Sequence, residues 1–218
     1  PLPPTSIPFT CTDLLGCAVF RPGEPITITT ILSFSGPSYY VSMSNDILSG
    51  IESAVDEYKT IGGHPIQIEK FDDKCNKNEA DYVAGKAVSN QYVVGVIGTN
   101  CGTTADAVAS SLTKANYVVI SPANTTSYLT QPGYYDGFFR VVPPDSTEAK
   151  GMAIFAYRTM GFRYIGVAYQ RADLSTTLAK AFEDEFLSLG GKIVASEKVP
   201  SVKPDVKAIL YKISDQSP

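Results

Sequence analysis

The sequence predicts an α/β fold built on a largely parallel sheet, and three observations carry that prediction. Short apolar runs rich in β-branched residues, such as ITITTIL (26–32) and VVGVIG (93–98), alternate with longer segments whose apolar residues recur at helical spacing. Gly, Ser, Thr, Asn and Pro cluster at the junctions between the two kinds of segment. The order strand, helix, strand repeats along the chain, which is the pattern of βαβ units with right-handed crossovers and helices on both faces of the sheet.

Residues 1–25 are rich in Pro, Thr and Gly without clean periodicity and predict an extended N-terminal tail. A strand over 26–32 follows, then the loop SFSGPSYYVSMS, then a helix over 46–59 with Ile47, Ile51, Val55 and Tyr58 on one stripe. A Gly62-Gly63 turn leads to the strand IQIEKF (66–71), a helix over 78–90, the strand over 93–98, a helix over 105–116 and the strand YVVISP (117–122). An irregular run over 123–137 precedes the strand FFRVVPP (138–144). A second series has a helix over 147–160, the strand RYIGVAYQ (163–170), a helix over 178–189, the strand KIVASEKV (192–199) and a short helix over 206–214. Pro143 and Pro144 fix an extended connection between the two series. The predicted organisation is a tail over 1–25, a first lobe over 26–142 and a second over 143–218.

Composition narrows the function. The 218 residues are 44% hydrophobic and carry 18 basic against 22 acidic side chains, a net charge of −4, so no basic stripe exists for nucleic acid or anionic lipid. No apolar run approaches the roughly 20 residues that span a bilayer, and PLPPTSIPFTC lacks the basic and apolar regions of a signal peptide. An exported form would therefore have lost its signal. The four cysteines fall into two groups, Cys11 with Cys17 and Cys75 with Cys101, and no CxxC or Cys/His cluster suggests a metal. Disulfides are the reading preferred over four free thiols, and they imply an oxidising compartment. Paired, Cys101 would tie the loop after VVGVIG to the neighbouring loop FDDKC.

Catalytic constellations are missing from the sequence. There is no G-x-S-x-G elbow, no P-loop and no G-x-G-x-x-G after the first strand. The single histidine, His64, precedes Pro65 in a turn and reads as a solvated loop residue; Asp72 and Asp73 read as a solvated cap or turn at a strand end. No cofactor or metal is expected, and the chain is not expected to be an enzyme.

The positive signal is a set of polar loops at the carboxyl ends of apolar strands, where open α/β sheets bind ligands. The first strand leads into SFSGPSYY, with Ser35, Tyr39 and Tyr40; the third into TNCGTT, with Cys101, Gly102 and Thr103; the fourth into SPANTT, with Ala123, Asn124 and Thr125. Together they offer hydroxyls, backbone N–H groups and carbonyls to a small zwitterionic or polar ligand, with a tyrosine as an apolar wall.

In this order the segments LSFSGP, FDDKC, VIGTNCGTTADA, VVISPANTTSYLTQPGY and FFRVVPPDSTEAKGMA resemble the type I periplasmic solute-binding proteins of ABC importers, in the leucine/isoleucine/valine-binding group. The resemblance runs from Ile26 to the end of the sequence. It implies two Rossmann-like lobes that close on a ligand without chemistry, and a disulfide at the positions of Cys75 and Cys101. It places the ligand carboxylate on Gly102 and Thr103 and the ammonium on the Ala123 carbonyl and the Thr125 hydroxyl, with the Thr125 N–H on the carboxylate. Gly102 stands where the family commonly has a serine hydroxyl, and Leu174 where a second-lobe aromatic usually covers the ligand. Family members have further second-lobe strands, so 143–218 is expected to form only part of that lobe. The resemblance further implies a periplasmic or extracellular location, an anchor through a lipidated and since removed N-terminal segment, and an ABC permease as partner. A sensory ligand-binding domain of the same fold is the alternative, and an enzyme the more distant one.

Overall fold

Strand β1 (Ile26–Leu32) is buried along its length except for the half-buried Ile28, as suits the middle of a parallel sheet covered on both faces. The computed structural model containing it describes residues 10–12, 16–170, 173–199 and 205–215, with the side chains of residues 173, 174 and 206 outside that description. Its described part divides into two compact units. One comprises the residues up to Asn124 together with Tyr128–Val142; the other comprises Thr125–Ser127 and the residues from Pro143 onward.

In the first unit, β1 leads to α1 (Ser38–Tyr58), which begins eight residues before the predicted start at 46. The loop-like composition of that stretch is overridden by Pro37, whose φ of −62° and ψ of 130° set up the first turn. Its carbonyl accepts the N–H groups of Tyr40 and Val41 at 3.0 and 3.2 Å. Two turns on, the buried Ser44 hydroxyl donates to the Ser33 carbonyl at 2.8 Å. A short strand β2 (Thr60–Ile61) pairs antiparallel with the start of β3 (His64–Asp72), so the Gly62-Gly63 turn closes a hairpin that periodicity did not reveal. His64 is a half-buried strand residue and not a solvated loop residue, with Nδ1 2.8 Å from the Glu24 carbonyl and its ring 5.5 Å from that of Phe20. These contacts fasten the end of the tail, whose Cys11 and Cys17 are joined by a disulfide.

Helix α2 (Lys77–Ser89) starts at Asn76, whose side chain accepts the N–H groups of Asn78 and Glu79. Then come β4 (Val93–Gly98), α3 (Gly102–Lys114), β5 (Val119–Ser121), a 3-10 turn at Ser127–Thr130 and β6 (Phe138–Arg140). The sheet order is β2-β3-β1-β4-β5-β6, parallel except for β2. One face, with Ile31, Val96, Val119 and Phe138, packs against Ala80, Val83 and Ala84 of α2 and Ala105, Val108 and Leu112 of α3. Against the other face lies α1, and an apolar groove of about 500 Å³ separates its Ile47, Ile51 and Val55 from Ile28, Ile66 and Ile97. In register with Ile97, Ile120 and Phe139 are exposed on that face.

The second unit holds α4 (Asp145–Ile154), continued by a π-helical turn over Phe155–Thr159, and two parallel strands, β7 (Tyr164–Gln170) and β8 (Lys192–Val199). Between the strands runs α5 (Asp173–Ser188), and α6 (Val206–Asp215) follows. Phe186 is fully buried, with its ring 5.8 Å from those of Phe182 and Tyr157. A cavity of about 450 Å³ is lined by β7 and by Glu148, Met152, Leu178 and Phe182 of α4 and α5.

Candidate functional site

The strand order of the first unit reverses at β1. The chain passes from β1 to β3 on one side, then returns to lay β4, β5 and β6 on the other. The crevice between the carboxyl ends of β1 and β4 is therefore the switch point, flanked by the loop into α1 and the loop into α3. These helices leave on opposite faces of the sheet, so the two loops diverge. Gly98 ends β4 close against β1: a Cβ there would lie 2.2 Å from the Ile31 carbonyl oxygen, which leaves room for glycine only.

At the start of α3, Cys101 is the capping residue but supplies no side-chain cap. The N–H groups of Gly102 and Thr103 have no partner among the described residues, and both residues are exposed. Open N–H groups at the positive end of a 13-residue helix favour a carboxylate or another anion. The disulfide Cys75–Cys101 joins this point to the loop after β3. Thr103 donates its hydroxyl proton to the Cys75 carbonyl at 3.2 Å, so the backbone N–H is the donor it has left for a ligand.

Beneath the rim lies a buried polar layer that sequence patterning alone did not assign. The Asn100 side chain accepts the Ser33 N–H at 2.9 Å and donates to the Tyr40 carbonyl at 3.0 Å and to Ser44 Oγ at 2.9 Å. Asn124 Oδ1 lies 2.8 Å from the Thr99 hydroxyl and 2.9 Å from that of Ser121, while Ser121 Oγ accepts the Asn124 N–H at 2.9 Å. The side chain of Asn124 is thus turned into the protein. Ala123 is half-buried, and the Arg140 guanidinium donates to the Asn124 carbonyl at 3.2 Å.

The two aspartates at the end of β3, Asp72 within it and Asp73 just past it, are not a solvated turn. Asp73 is fully buried and accepts the hydroxyls of Ser33 and Thr104 at 2.5 and 2.7 Å and the Cys75 N–H at 2.9 Å. Asp72 grips the rim of the β1 loop through the Phe34 N–H, the Ser35 N–H and the Ser35 hydroxyl. Partial burial pushes the Asp72 carboxyl up, but the bonds from Ser35, Lys74 and Phe34 together outweigh it and hold it below its ordinary value. In the same loop Gly36 has φ +103°, and a Cβ on it would lie 2.9 Å from the Lys74 carbonyl oxygen. A run of hydroxyl and amide residues just past an apolar strand was the available signal for this layer; what it could not tell was which side chains point inward.

The structure therefore brings Ser35, Cys101, Gly102, Thr103, Ala123 and Asn124 to the carboxyl edge of one sheet. Tyr39 is exposed and Tyr40 half-buried in the first turn of α1, their rings 5.3 Å apart. Cys101 is buried in its disulfide and offers no side-chain group. Thr125 falls in the second unit, where its carbonyl accepts the Asp145 N–H at 2.8 Å. The side chain of Leu174 lies outside the described residues. Among the described residues no group of His, Cys, Asp or Glu is arranged to hold a metal ion, and no helix is long and apolar enough to cross a membrane.

Comparison with known proteins agrees with this fold. The Leu/Ile/Val-binding protein of Escherichia coli K12 is 23% identical over 197 residues, covering 89% of this chain and 53% of that protein. A leucine binding protein from Thermotoga maritima superposes with a TM-score of 0.71 at 26% identity, covering 88% of this chain and 54% of that one. An ABC transporter substrate-binding protein from Desulfitobacterium hafniense, solved in complex with Leu, superposes with a TM-score of 0.73 at 26% identity, covering 88% and 55%. The chain spans about half the length of these relatives, all of which are binding proteins and not enzymes. Residues 25–218 match the periplasmic binding protein family as a whole, and with its doubly wound sheet and open rim at the switch point the chain belongs to that family.

Proposed function

We propose that the chain is the ligand-holding part of an extracytoplasmic solute-binding protein that delivers an amino acid, or a close relative, to an ABC permease. The observation that carries this reading is the open first turn of α3 at the switch point, where the N–H groups of the exposed Gly102 and Thr103 have no partners among the described residues. Such a turn suits the carboxylate common to all amino acids, and one relative of this fold was solved with leucine. The Ala123 carbonyl supplies an acceptor for the ammonium on the neighbouring loop, and Tyr39 and Tyr40 an apolar wall. Contributions from Thr125 and Leu174, closure of two lobes over the solute, and a lipid anchor preceding Pro1 rest on the family resemblance and belong to the same proposal.

Calorimetric titration and thermal melts against the standard amino acids and small organic acids test it. Ligand at about 1,000 times its Kd adds roughly 4 kcal/mol, a rise of several degrees in Tm. A rise with leucine or another amino acid is the expected result. A rise only with acids lacking an ammonium would keep the carboxylate site and discard the amino acid; no response to either class would overturn the reading.

A further inference from the structure

A carboxylate taken wholly out of water is costly unless hydrogen bonds replace its hydration, so a fully buried aspartate requires a reason. Asp73 has no ion pair among the described residues. Its charge is met instead by three donors from three segments: the Ser33 hydroxyl at the end of β1, the Thr104 hydroxyl in the first turn of α3, and the Cys75 N–H in its own loop. Two of those segments are the loops that flank the switch point. The Asp73 N–H adds a bond to the Leu32 carbonyl at 3.1 Å. Asn100, in the loop that runs into α3, also accepts the Ser33 N–H, and Asp73 adds a link from a third segment to Ser33 and to Thr104.

We propose that Asp73 is the positioning residue of the binding site, and the proposal rests on the solute-binding reading above. Its carboxylate sets the β1 loop and the α3 N-terminus in one mutual arrangement before any solute arrives. The open N–H groups of Gly102 and Thr103 are then held in place without an ordering cost on binding, which is how preorganisation raises affinity. An ionised carboxylate can accept from both hydroxyls and the N–H at once. An asparagine of the same shape offers one oxygen and an NH2 group, so the hydroxyl that meets the NH2 must turn to accept, and a charge-assisted bond there gives way to a weaker neutral one. Asp73 touches no solute; it acts through Ser33 and Thr104.

Residue-resolved amide hydrogen exchange on the solute-free protein tests this directly, with wild type beside Asp73→Asn, Ser33→Ala and Thr104→Val. In Asp73→Asn the Ser33, Thr104 and Ala105 amides are expected to exchange at least about tenfold faster, while Val108 and Leu112 in the middle of α3 keep their rates. Thr104→Val should loosen the α3 side and Ser33→Ala the β1 side; each severs one link and decides the matter if Asp73→Asn does not fold. Acceleration confined to residues 74–76, or spread evenly over the unit in step with global stability, would show a merely structural role and overturn the proposal. Titration with leucine adds a second readout, with affinity lost about tenfold in Asp73→Asn. An unchanged Kd would equally overturn it. If wild type binds no amino acid, the solute reading fails alone, and the exchange rates still decide the role of Asp73.

Discussion

The Ser35 hydroxyl donates to Oδ2 of Asp72 at 2.6 Å, so the loop after the first strand is held at its rim by the acid that ends the third. Asp72 has its carboxyl held below the ordinary value of 3.8. A carboxyl lower in the folded than in the unfolded chain stabilises the fold at every pH above its unfolded value, and the contribution disappears as pH falls through the folded value. Thermal melts of wild type and Asp72→Asn should therefore differ at neutral pH, and the difference should begin to shrink below about pH 4 and vanish only below the lowered folded value. A constant difference down to the lowest pH would mean that the charge on Asp72 contributes nothing.

Asp106 on α3 accepts the hydroxyls of both Tyr128 and Tyr135, at 2.6 and 3.0 Å. Burial first, then the bond to Asp106 and its negative charge, push both phenols above their ordinary value, Tyr128 strongly so. Raised values mean the reverse dependence: the bonds are fully present below about pH 10 and are lost as pH climbs through the folded values. In an ultraviolet titration these two should ionise above the ordinary phenol value, and Asp106→Asn should bring them back down toward it. Tyr128→Phe should cost about 1.5 kcal/mol, as expected for a bond to a charged acceptor.

Two glycines predict opposite signs. Gly98→Ala places a methyl 2.2 Å from the Ile31 carbonyl oxygen, against backbone that cannot swing aside, and should cost about 3 kcal/mol or more. Gly50 sits inside α1 with nothing within 4 Å of the position a methyl would take, so Gly50→Ala should stabilise by about 0.5–1 kcal/mol. Urea denaturation of the two variants reads both.

The Cys75–Cys101 disulfide closes a separation of 26 residues. Loop entropy gives it about 3.5 kcal/mol of stabilisation. Replacing both cysteines by serine should lower the unfolding free energy of the first unit by about that amount. A loss under about 1 kcal/mol would mean that the hydrogen bonds of Asp73 and Thr103 hold the loops without it.

Most of the architecture could be read from the sequence because its strands carry dense β-branched runs: β1, β4 and β8 begin and end where the periodicity places them. The start of α1 could not, because Gly36, Pro37 and Ser38 carry turn chemistry and Tyr39 and Tyr40 are poor helix formers; tertiary contacts through Ser44 and Asn100 decide the matter. Strands β5 and β6 are shorter than their apolar runs, since Pro122, Pro143 and Pro144 lack the N–H a ladder needs and Tyr117 and Val118 lead into the sheet as loop. The rim loops were legible as a group. Asp73 was not, because paired acids at a strand end look solvated until the fold closes over one of them.

That buried layer has a consequence for the medium in which the protein works. Hydroxyls, amides and one carboxylate form it, whereas the ion pairs among the described residues are at exposed or half-exposed side chains, such as Lys70 with Glu52 and Lys180 with Asp184. Dissolved electrolyte weakens pairs of the second kind and scarcely reaches the first. The arrangement of the layer beneath the rim is therefore far less sensitive to ionic strength than the surface pairs are.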